Sequence, residues 1–389
     1  MTEVASVDVD APSRVIEHRE LVRSWIAANA EALTPFRMHH SSAEEELDAG
    51  AALIKILYDA GWGRYGWPLE AGGLGGAPML RAVLYDELER LGYAAPVQYE
   101  MLETLAPAVL AFAPILAAVV LPSALSGEKS WAQGFSEPEA GSDLASLRCR
   151  AVLDGDHYVV RGQKIWGSQG VGAARMGTLV RTGSPDSRHK GLSMLMIDLD
   201  TPGVDVRPIR YANGRNELAE VFFDDARVPA DRLVGAEGQG WAVAMFLLQY
   251  ERGGYAWVRQ AHIGRLLGEL AARVDVAEER IAHRIGAAWV AQQALRVRCG
   301  RTIQRLAAGE SLGPETSIDK VLLGTAEQLV CDTALALQRA EILFSDDGTD
   351  QSWRDDWFYT RASTLYGGTA EIQRSIIADR VLGLPKEKS

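Results

Sequence analysis

Apolar residues recur at helical spacing in the first third of the chain. Residues 14–33 and 44–62 repeat them at i, i+3, i+4 and i+7, and a third amphipathic run at residues 80–93 follows a loop rich in glycine and proline. A period near 3.6 places these residues along one face of a helix. The pattern predicts a helical N-terminal domain over residues 1–127.

Residues 104–127 contain no charged side chain and are long enough to cross a bilayer. Pro107, Pro114 and Pro122 interrupt this stretch, and acidic residues flank it on both sides. Proline removes a helical hydrogen bond and clashes with the preceding turn. We therefore interpret the stretch as two short buried helices that separate near Pro114, and we expect no membrane span.

After Gly127 the pattern changes to short β-rich runs that are separated by turn residues. The DGD sequence at residues 154–156 is typical of a hairpin turn. The spacing predicts a compact middle β-domain, a barrel or sandwich, over residues 128–237. Long runs of helical period then return and predict a C-terminal bundle of about four helices over residues 238–389. The expected fold class is mainly α with a central β-domain.

The composition is that of a globular chain with an acidic balance. Its 389 residues include 52 Asp and Glu against 40 Lys and Arg, which gives a formal charge of -12. A carboxylate excess without a basic run disfavours binding to nucleic acid or to anionic membranes, because both are polyanions. The three cysteines, Cys149, Cys299 and Cys331, lie too far apart along the chain to suggest a disulfide framework or a zinc cluster.

The N-terminus has acidic residues before Arg14 and no apolar run. We therefore expect no secretory signal and a reducing, cytoplasmic compartment. Gly238 and Gly240 do not follow a βαβ pattern, and no P-loop sequence is present, so nicotinamide and ATP chemistry are disfavoured. The histidines lack the spacing of metal ligands, and we expect no metal site.

Four sequence blocks occur in an order and spacing that extend over nearly the whole chain. They read WAQGFSEPEAGSDLASL at residues 131–147, DHYVVRGQKIWGS at 156–168, ELAEVFFDDARVP at 217–229, and YGGTAEIQR at 366–374, with RVLGLP at 380–385. Together they resemble the acyl-CoA dehydrogenase family. Within that family the chain is most similar to bacterial members that act on bulky or branched acyl-CoAs, including sterol side chains.

This resemblance implies an FAD-dependent oxidoreductase that removes two hydrogens from an acyl thioester. In the family a carboxylate takes the α proton while the β hydride passes to flavin N5, which gives the trans-2-enoyl thioester. The electrons then leave through an electron-transfer flavoprotein. The acyl group is carried either by CoA or by a carrier protein, because both present the same pantetheine arm.

The resemblance assigns flavin contacts to two pairs of residues in the middle domain. Phe135 and Ser136 match the block whose backbone and hydroxyl lie along the isoalloxazine ring, although a turn hydroxyl before Pro138 is an alternative role for Ser136. Trp166 and Ser168 match positions where an indole shields the ring and a hydroxyl bonds near N5. The chain has 10 Trp residues, so only the motif distinguishes Trp166.

Three further residues match binding positions of the family. Thr369 and Glu371 match residues that wrap the ribityl and pyrophosphate region of FAD. A glutamate beside a pyrophosphate is electrostatically unfavourable, so the alternative is that the Glu371 side chain points to a neighbouring helix. Ser142 matches a position that contacts the pantetheine arm of the substrate, and its alternative role is a cap or turn hydroxyl in the AGSD sequence.

The catalytic glutamate of most family members directly precedes the Gly-Thr of the last block, and here that position is Gly367. Glycine cannot abstract a proton. A minority of the family places the base on a helix of the C-terminal domain before an arginine, and Glu251 holds that position. At 100° per residue, Glu251 lies about 40° from Leu247 and about 20° from Val258, and therefore on the apolar face.

A carboxyl group on an apolar face costs on the order of several kcal/mol unless it is neutral, paired or functional. We therefore assign Glu251 as the base, and pairing with an arginine of another helix is the alternative. Gly253 and Gly254 are interpreted as leaving volume for a substrate. Tyr250 and Arg252 are the adjacent candidates for substrate contact, and Arg252 is expected to act chiefly as support.

Two segments depart from the family pattern. The usual R-x-x-F-G and Q-x-x-G-G-x-G sequences are absent, and residues 272–286 and 338–358 stand in their places. Both sequences normally help to bind FAD across a subunit interface. Their absence disfavours full FAD occupancy in a homodimer or homotetramer, and the other arrangement is a hetero-tetramer (α2β2) with this chain as the catalytic partner.

Two other functions stay open. A flavin monooxygenase or oxidase on the same fold would need no glutamate at residue 251 and would react with O2. A non-catalytic partner subunit would reduce no flavin by itself.

Overall fold

The β-sheet lies between two groups of helices along the chain. The computed structural model describes residues 12–37, 40, 42–344 and 348–385. The helices before the sheet are α1 Pro12–Ala28, α2 Ala30–Leu33, α3 Ala43–Asp59, α4 Pro78–Arg90, α5 Gln98–Phe112 and α6 Pro114–Leu125. The helices after it are α7 Gly240–Tyr250, α8 Ala256–Arg273, α9 Glu279–Ala307, α10 Thr316–Phe344, α11 Gly348–Thr360 and α12 Ala370–Ile376.

The strands all fall within the segment that the sequence assigned to a β-domain. They are β1 Trp131–Gly134, β2 Arg150–Asp154, β3 His157–Ser168, β4 Arg175–Arg181, β5 Leu192–Asp198, β6 Val204–Ile209, β7 Leu218–Pro229 and β8 Leu233–Val234. They form one mixed sheet in the order β6-β7-β3-β2-β4-β5-β8, and β1 pairs with β4 in parallel. The expected fold class, mainly α with a central β-domain, is confirmed, and the domain boundaries stay a prediction.

The uncharged stretch before the sheet forms two helices, as its prolines predicted. α5 ends at Phe112 and α6 begins at Pro114. Leu105 and Val109 of α5 are fully buried. Within the described part of the chain, no helix is long and apolar enough to cross a membrane.

The hairpin that the DGD sequence predicted joins β2 and β3. Asp154 pairs with His157, and Gly155 in the turn has a φ of +63°, which glycine adopts without steric cost. Further along β3, the pairing with β7 is irregular between Lys164 and Gly167. Trp166 lies within this irregular segment and therefore has no partner in the regular β3–β7 pairing.

One hydrophobic core joins the helices to one face of the sheet. Buried residues run continuously from α5 through β5 to α7, for example Leu105, Met194 and Leu247. A separate cluster that includes Val160 and Val221 covers the opposite face. The sheet therefore packs against α5 and α7, and the candidate catalytic residue lies at this junction.

A π-helical turn at Glu251–Tyr255 connects α7 to α8. The sequence interpretation assumed regular α-helical rotation through this stretch, and that assumption is wrong because a π turn has i→i+5 hydrogen bonds and inserts a residue. The apolar face is nevertheless buried on both sides, since Leu247 is 0% and Val258 is 4% exposed. Glu251 stands where the helix geometry changes.

Candidate active site

Glu251 is the first residue of the π-helical turn. Its Oε2 atom is buried and has no hydrogen-bond partner among the described residues. Burial raises the pKa of Glu251 above its usual range, while the charges of Arg252 and Lys320 and a hydrogen bond from the Gln133 side chain act in the opposite direction. A π-helical turn that holds a dehydrated carboxyl group with a free oxygen is typical of a functional site.

Gly367 lies directly against this carboxyl group. A Cβ atom placed on Gly367 would be 2.6 Å from Oε1 of Glu251. Gly367 also has a φ of +63°, a conformation that L side chains rarely adopt. The position where the family pattern expects a glutamate and the glutamate that is present therefore face the same space, although they are far apart in sequence.

Lys320 of α10 closes this space from another side. Its Cε atom lies 3.3 Å from the same Cβ position on Gly367, and its Nζ atom donates a 2.7 Å hydrogen bond to the carbonyl of Ser363. Lys320 also lies over the ring of Tyr366, 3.5 Å from the ring centre. Sequence reasoning missed Lys320, because its only local signal is one lysine in an amphipathic helix.

The turn before α12 is braced by a second residue that sequence reasoning missed. The amide of Gln373 donates hydrogen bonds to the carbonyl oxygens of Gly367 (2.8 Å) and Gly368 (3.3 Å). Gln373 is fully buried, and both glycines have positive φ angles. This bracing fixes the backbone next to Glu251.

Arg252 and Tyr250 flank the carboxyl group on its own helix. The Nε atom of Arg252 is buried and unpartnered in the described part of the chain, and burial lowers the pKa of this guanidinium. Tyr250 packs against Phe246, with ring centres 5.1 Å apart. Arg252 therefore has hydrogen-bonding capacity that no described side chain uses.

The two glycines that follow Arg252 serve close helix packing. A Cβ atom on Gly253 would lie 2.7 Å from Thr302 of α9, and one on Gly254 would lie 3.4 Å from Glu103 of α5. The interpretation that these glycines leave volume for a substrate is therefore wrong, because neighbouring helices fill the space.

Phe135 and Ser136, the first pair predicted to contact the flavin, lie on the segment that follows β1. Phe135 is 6% exposed, and its carbonyl accepts a 3.1 Å hydrogen bond from Nζ of the buried Lys164. The carbonyl of Ser136 accepts a 2.9 Å hydrogen bond from the backbone N–H of Ile165. These contacts hold the segment beside the part of β3 that contains Trp166.

Trp166 and Ser168, the second pair predicted to contact the flavin, lie at the end of β3. Trp166 has a left-handed φ of +61°, and the residue is 56% exposed. Ser168 lines a small cavity together with Glu100 and Tyr359. A Cβ atom on the intervening Gly167 would lie 3.4 Å from the carbonyl of Gln133, so this pair neighbours the residue that bonds to Glu251.

The remaining predicted residues are less central. The Thr369 side chain accepts a 3.3 Å hydrogen bond from the N–H of Ile372 and so caps α12. Glu371 and Ser142 are exposed. The structure thus brings Gln133, Glu251 and the Gly367 turn together and leaves Ser142 outside this cluster.

A larger cavity of about 760 Å³ lies between α3, α8 and α11, and none of Gln133, Glu251 and Gly367 lines it. Charged side chains line much of it. Burial raises the pKa of Glu100 to about 7, although Arg259 acts in the opposite direction. Burial opposes a charge on His262, yet Asp356 and Glu89 raise its pKa to about 9. Sequence reasoning did not find this cavity, because its walls come from distant segments.

Two family models match most of the chain. Residues 132–226 match the acyl-CoA dehydrogenase middle domain, and residues 238–382 match the acyl-CoA dehydrogenase C-terminal domain. The chain belongs to the acyl-CoA dehydrogenase family. Members of this family are flavoprotein oxidoreductases of lipid metabolism, so the expectation of an enzyme and the family resemblance are confirmed.

Individual acyl-CoA dehydrogenases resemble the chain over nearly its whole length. Acyl-CoA dehydrogenase IpdE1 of Mycobacterium tuberculosis is 39% identical over 386 residues, which cover 96% of this chain and 98% of that protein. The solved structure of the Tcur3481-Tcur3483 steroid ACAD superimposes with a TM-score of 0.81 at 25% identity, over 98% of this chain and 100% of that one. A chain of the ChsE4-ChsE5 complex from Mycobacterium tuberculosis superimposes with a TM-score of 0.77 at 26% identity. The match covers 98% of this chain and 100% of that one.

Proposed function

We propose that this acyl-CoA dehydrogenase family member oxidises an acyl thioester at its α and β carbons, with Glu251 as the base. The observation that supports the proposal most strongly is the convergence of Glu251 and Gly367 on one space. A carboxylate there reaches the position at which most family members hold their base. The chain can therefore lack a glutamate at residue 367 and keep the chemistry.

The surroundings of Glu251 suit proton abstraction from carbon. Burial raises its pKa, which makes the ionised carboxyl group a stronger base once it is dehydrated. Gln133 and Arg252 limit that effect and orient the carboxyl group. The half-buried glycine turn borders the carboxyl group on one side. Glu251 would take the α proton and hold it until the enoyl product leaves.

We further infer that FAD is the cofactor of this chain. The exposed Trp166 indole offers a face to a planar ring, and the positive φ angles of Gly367 and Gly368 allow close backbone approach. Phe135, Ser136, Trp166 and Ser168 would hold the isoalloxazine ring, while Thr369 and Glu371 would lie near the ribityl and phosphate groups. When bound, FAD supplies the two-electron acceptor for the β hydride.

The substrate that we propose is a bulky acyl group on CoA or on a carrier protein, and an electron-transfer flavoprotein would receive the electrons. Similarity to a protein named a steroid ACAD supports the bulky acyl group. Exposed Ser142 would meet the pantetheine arm near the surface, and Tyr250 and Arg252 would meet the acyl end.

We also propose that the chain assembles with other subunits, either its own copies or a different chain. The ChsE4-ChsE5 structure is a complex of two named chains, and the family sequences that bind FAD across an interface are absent here. These two facts favour the α2β2 arrangement, in which this chain contributes Glu251.

Stopped-flow absorbance under anaerobic conditions tests the reaction. Mixing the flavin-loaded protein, alone and co-expressed with a candidate partner chain, with acyl-CoAs of several shapes should bleach the flavin. Glu251→Gln should retain the flavin spectrum and slow bleaching by about 10²- to 10⁴-fold. Glu31→Gln, an exposed residue of α2, is the control and should bleach at the wild-type rate.

Bleaching at an unchanged rate in Glu251→Gln would overturn the assignment of the base. Rapid reoxidation of the substrate-reduced flavin by O2 would instead favour the oxidase alternative.

A further inference from the structure

Lys320 is a buried cation without a paired anion. It is 4% exposed, and among the described residues no carboxylate oxygen lies within 4.0 Å of its Nζ atom, the distance that defines an ion pair. Its polar contacts are the Ser363 carbonyl at 2.7 Å and the face of Tyr366 at 3.5 Å. Burying an ammonium group without an anion is unfavourable, so its presence requires a reason.

The charged groups around Lys320 come from three elements. Glu251 and Arg252 face it from the π-helical turn, Arg259 from α8, and Glu327 from its own helix α10. Burial lowers the pKa of Lys320 to about 8, while Glu327 and Glu251 favour its charged form. Lys320 is therefore electrostatically coupled to the proposed base, although the two side chains form no direct ion pair.

The turn that contains Gly367 connects Lys320 to Glu251 in space. The Cβ position of Gly367 is 3.3 Å from Cε of Lys320 and 2.6 Å from Oε1 of Glu251. The Ser363 carbonyl and the Tyr366 ring, which Lys320 contacts, lie just before this turn. A movement of Lys320 would therefore move the backbone that borders the carboxyl group.

We propose that Lys320 is a positioning residue for Glu251. It anchors the segment from Ser363 to Tyr366 on α10, and its positive charge keeps the neighbouring carboxyl group ionised when substrate removes water from the site. Lys320 is not a catalytic residue, because it acts on Glu251 and on the backbone. The inference rests on the proposed function of Glu251 as a base.

The pH dependence of flavin reduction separates this role from a purely structural one. Glu251 must be ionised to take a proton, so the rate falls as the pH drops below its pKa. Lys320→Met keeps the side-chain length and removes the charge, which raises that pKa. The acid limb of the profile should move to higher pH by about 1 to 3 units, the range typical of a nearby opposite charge.

Two variants serve as controls. Lys320→Arg keeps the charge, so its acid limb should stay close to that of the wild type even if its rate falls. Asp319→Asn alters the preceding residue of α10, whose carboxyl group accepts a 2.5 Å hydrogen bond from Thr302 and lies 2.8 Å from Arg298. This variant should lower the Tm without shifting the acid limb of the pH profile of flavin reduction.

Infrared spectroscopy gives a readout that requires no turnover. The carboxyl band that disappears in Glu251→Gln can be titrated in the wild type and in Lys320→Met, and its midpoint should be higher in the variant. Folded Lys320→Met with an unmoved midpoint and acid limb would overturn the proposal. If no acyl thioester bleaches the flavin, the proposed function fails, while the infrared titration still decides whether Lys320 controls Glu251.

Discussion

A Cβ atom on Gly367 would lie 2.6 Å from Oε1 of Glu251, so this space holds the carboxyl group of residue 251 only because residue 367 has no side chain. The family resemblance expects a base at residue 251 or at residue 367, and a side chain at either position would occupy the same space. A glycine at residue 367 is a steric requirement of the glutamate at residue 251, and the apparent loss of a catalytic residue is part of the same arrangement.

Gly367→Ala tests this steric relationship. The added methyl group would press on Oε1 of Glu251 and would hold alanine at a φ of +63°, so we expect slower flavin reduction and lower stability. The conformational part of the cost is about 1–2 kcal/mol. Gly309→Ala is a matched control, since Gly309 has a φ of +71° with nothing within 4 Å of its Cβ position.

Thermal unfolding and stopped-flow flavin reduction should be measured for both variants. Gly309→Ala should lose similar stability and keep its rate, whereas Gly367→Ala should lose both. Equal rates in the two variants would contradict the steric relationship.

Transfer of the base to the other position is a second prediction. Glu251→Ala should abolish flavin reduction, and adding Gly367→Glu should restore it by about tenfold or more, because the new carboxyl group enters the vacated space beside Lys320. Flavin content must be equal in the two proteins. A double variant that binds flavin and is as slow as Glu251→Ala would show that the two positions do not serve the same reaction geometry.

The charged cavity makes stability depend on pH in a defined direction. The raised pKa of Glu100, about 7, means that the folded protein keeps a proton that the unfolded chain has already released at that pH. The stabilisation is complete below about pH 4.5 and is lost as the pH rises through 7. Glu100→Gln removes this dependence, so its Tm relative to the wild type should be higher at pH 8 than at pH 5.

The largest difference expected is about 3 kcal/mol. Leu53→Ala is the control on the same cavity wall, because it removes buried packing and no titrating group. Its Tm relative to the wild type should therefore be lowered by a similar amount at pH 5 and at pH 8. A Glu100→Gln protein whose Tm difference does not change between pH 5 and pH 8 would contradict the raised pKa.

Helical periodicity from Leu247 places Glu251 on the apolar side of α7, whereas the predicted angle to Val258 does not hold, because the π turn lies between the two residues. The π turn was not predictable, since a shift to i→i+5 hydrogen bonds leaves the apolar pattern almost unchanged. Lys320 and Gln133 come from distant segments, and only the fold brings them to Glu251. Local sequence also could not distinguish a glycine that opens a pocket from one that lets two helices approach.

Trp166 combines backbone strain with an exposed indole, which suggests that its conformation serves binding. A φ of +61° costs a non-glycine residue about 1–2 kcal/mol of conformational energy. Because Trp166 is 56% exposed, burial of its side chain offsets little of this cost. Trp166→Gly should therefore leave the Tm of the flavin-free protein unchanged or raise it, while it weakens FAD binding. Trp166→Phe keeps the strain and an aromatic face, so it should bind FAD more tightly than the glycine variant.

Fluorescence titration of the flavin-free proteins with FAD, alongside their thermal unfolding, separates the two effects. A strained residue that acts only in folding would give the opposite result, in which Trp166→Gly loses stability and binds FAD as the wild type does. Because the β3–β7 irregularity lies between Lys164 and Gly167, glycine at residue 166 can keep the bulge, and any loss of FAD binding then belongs to the missing indole.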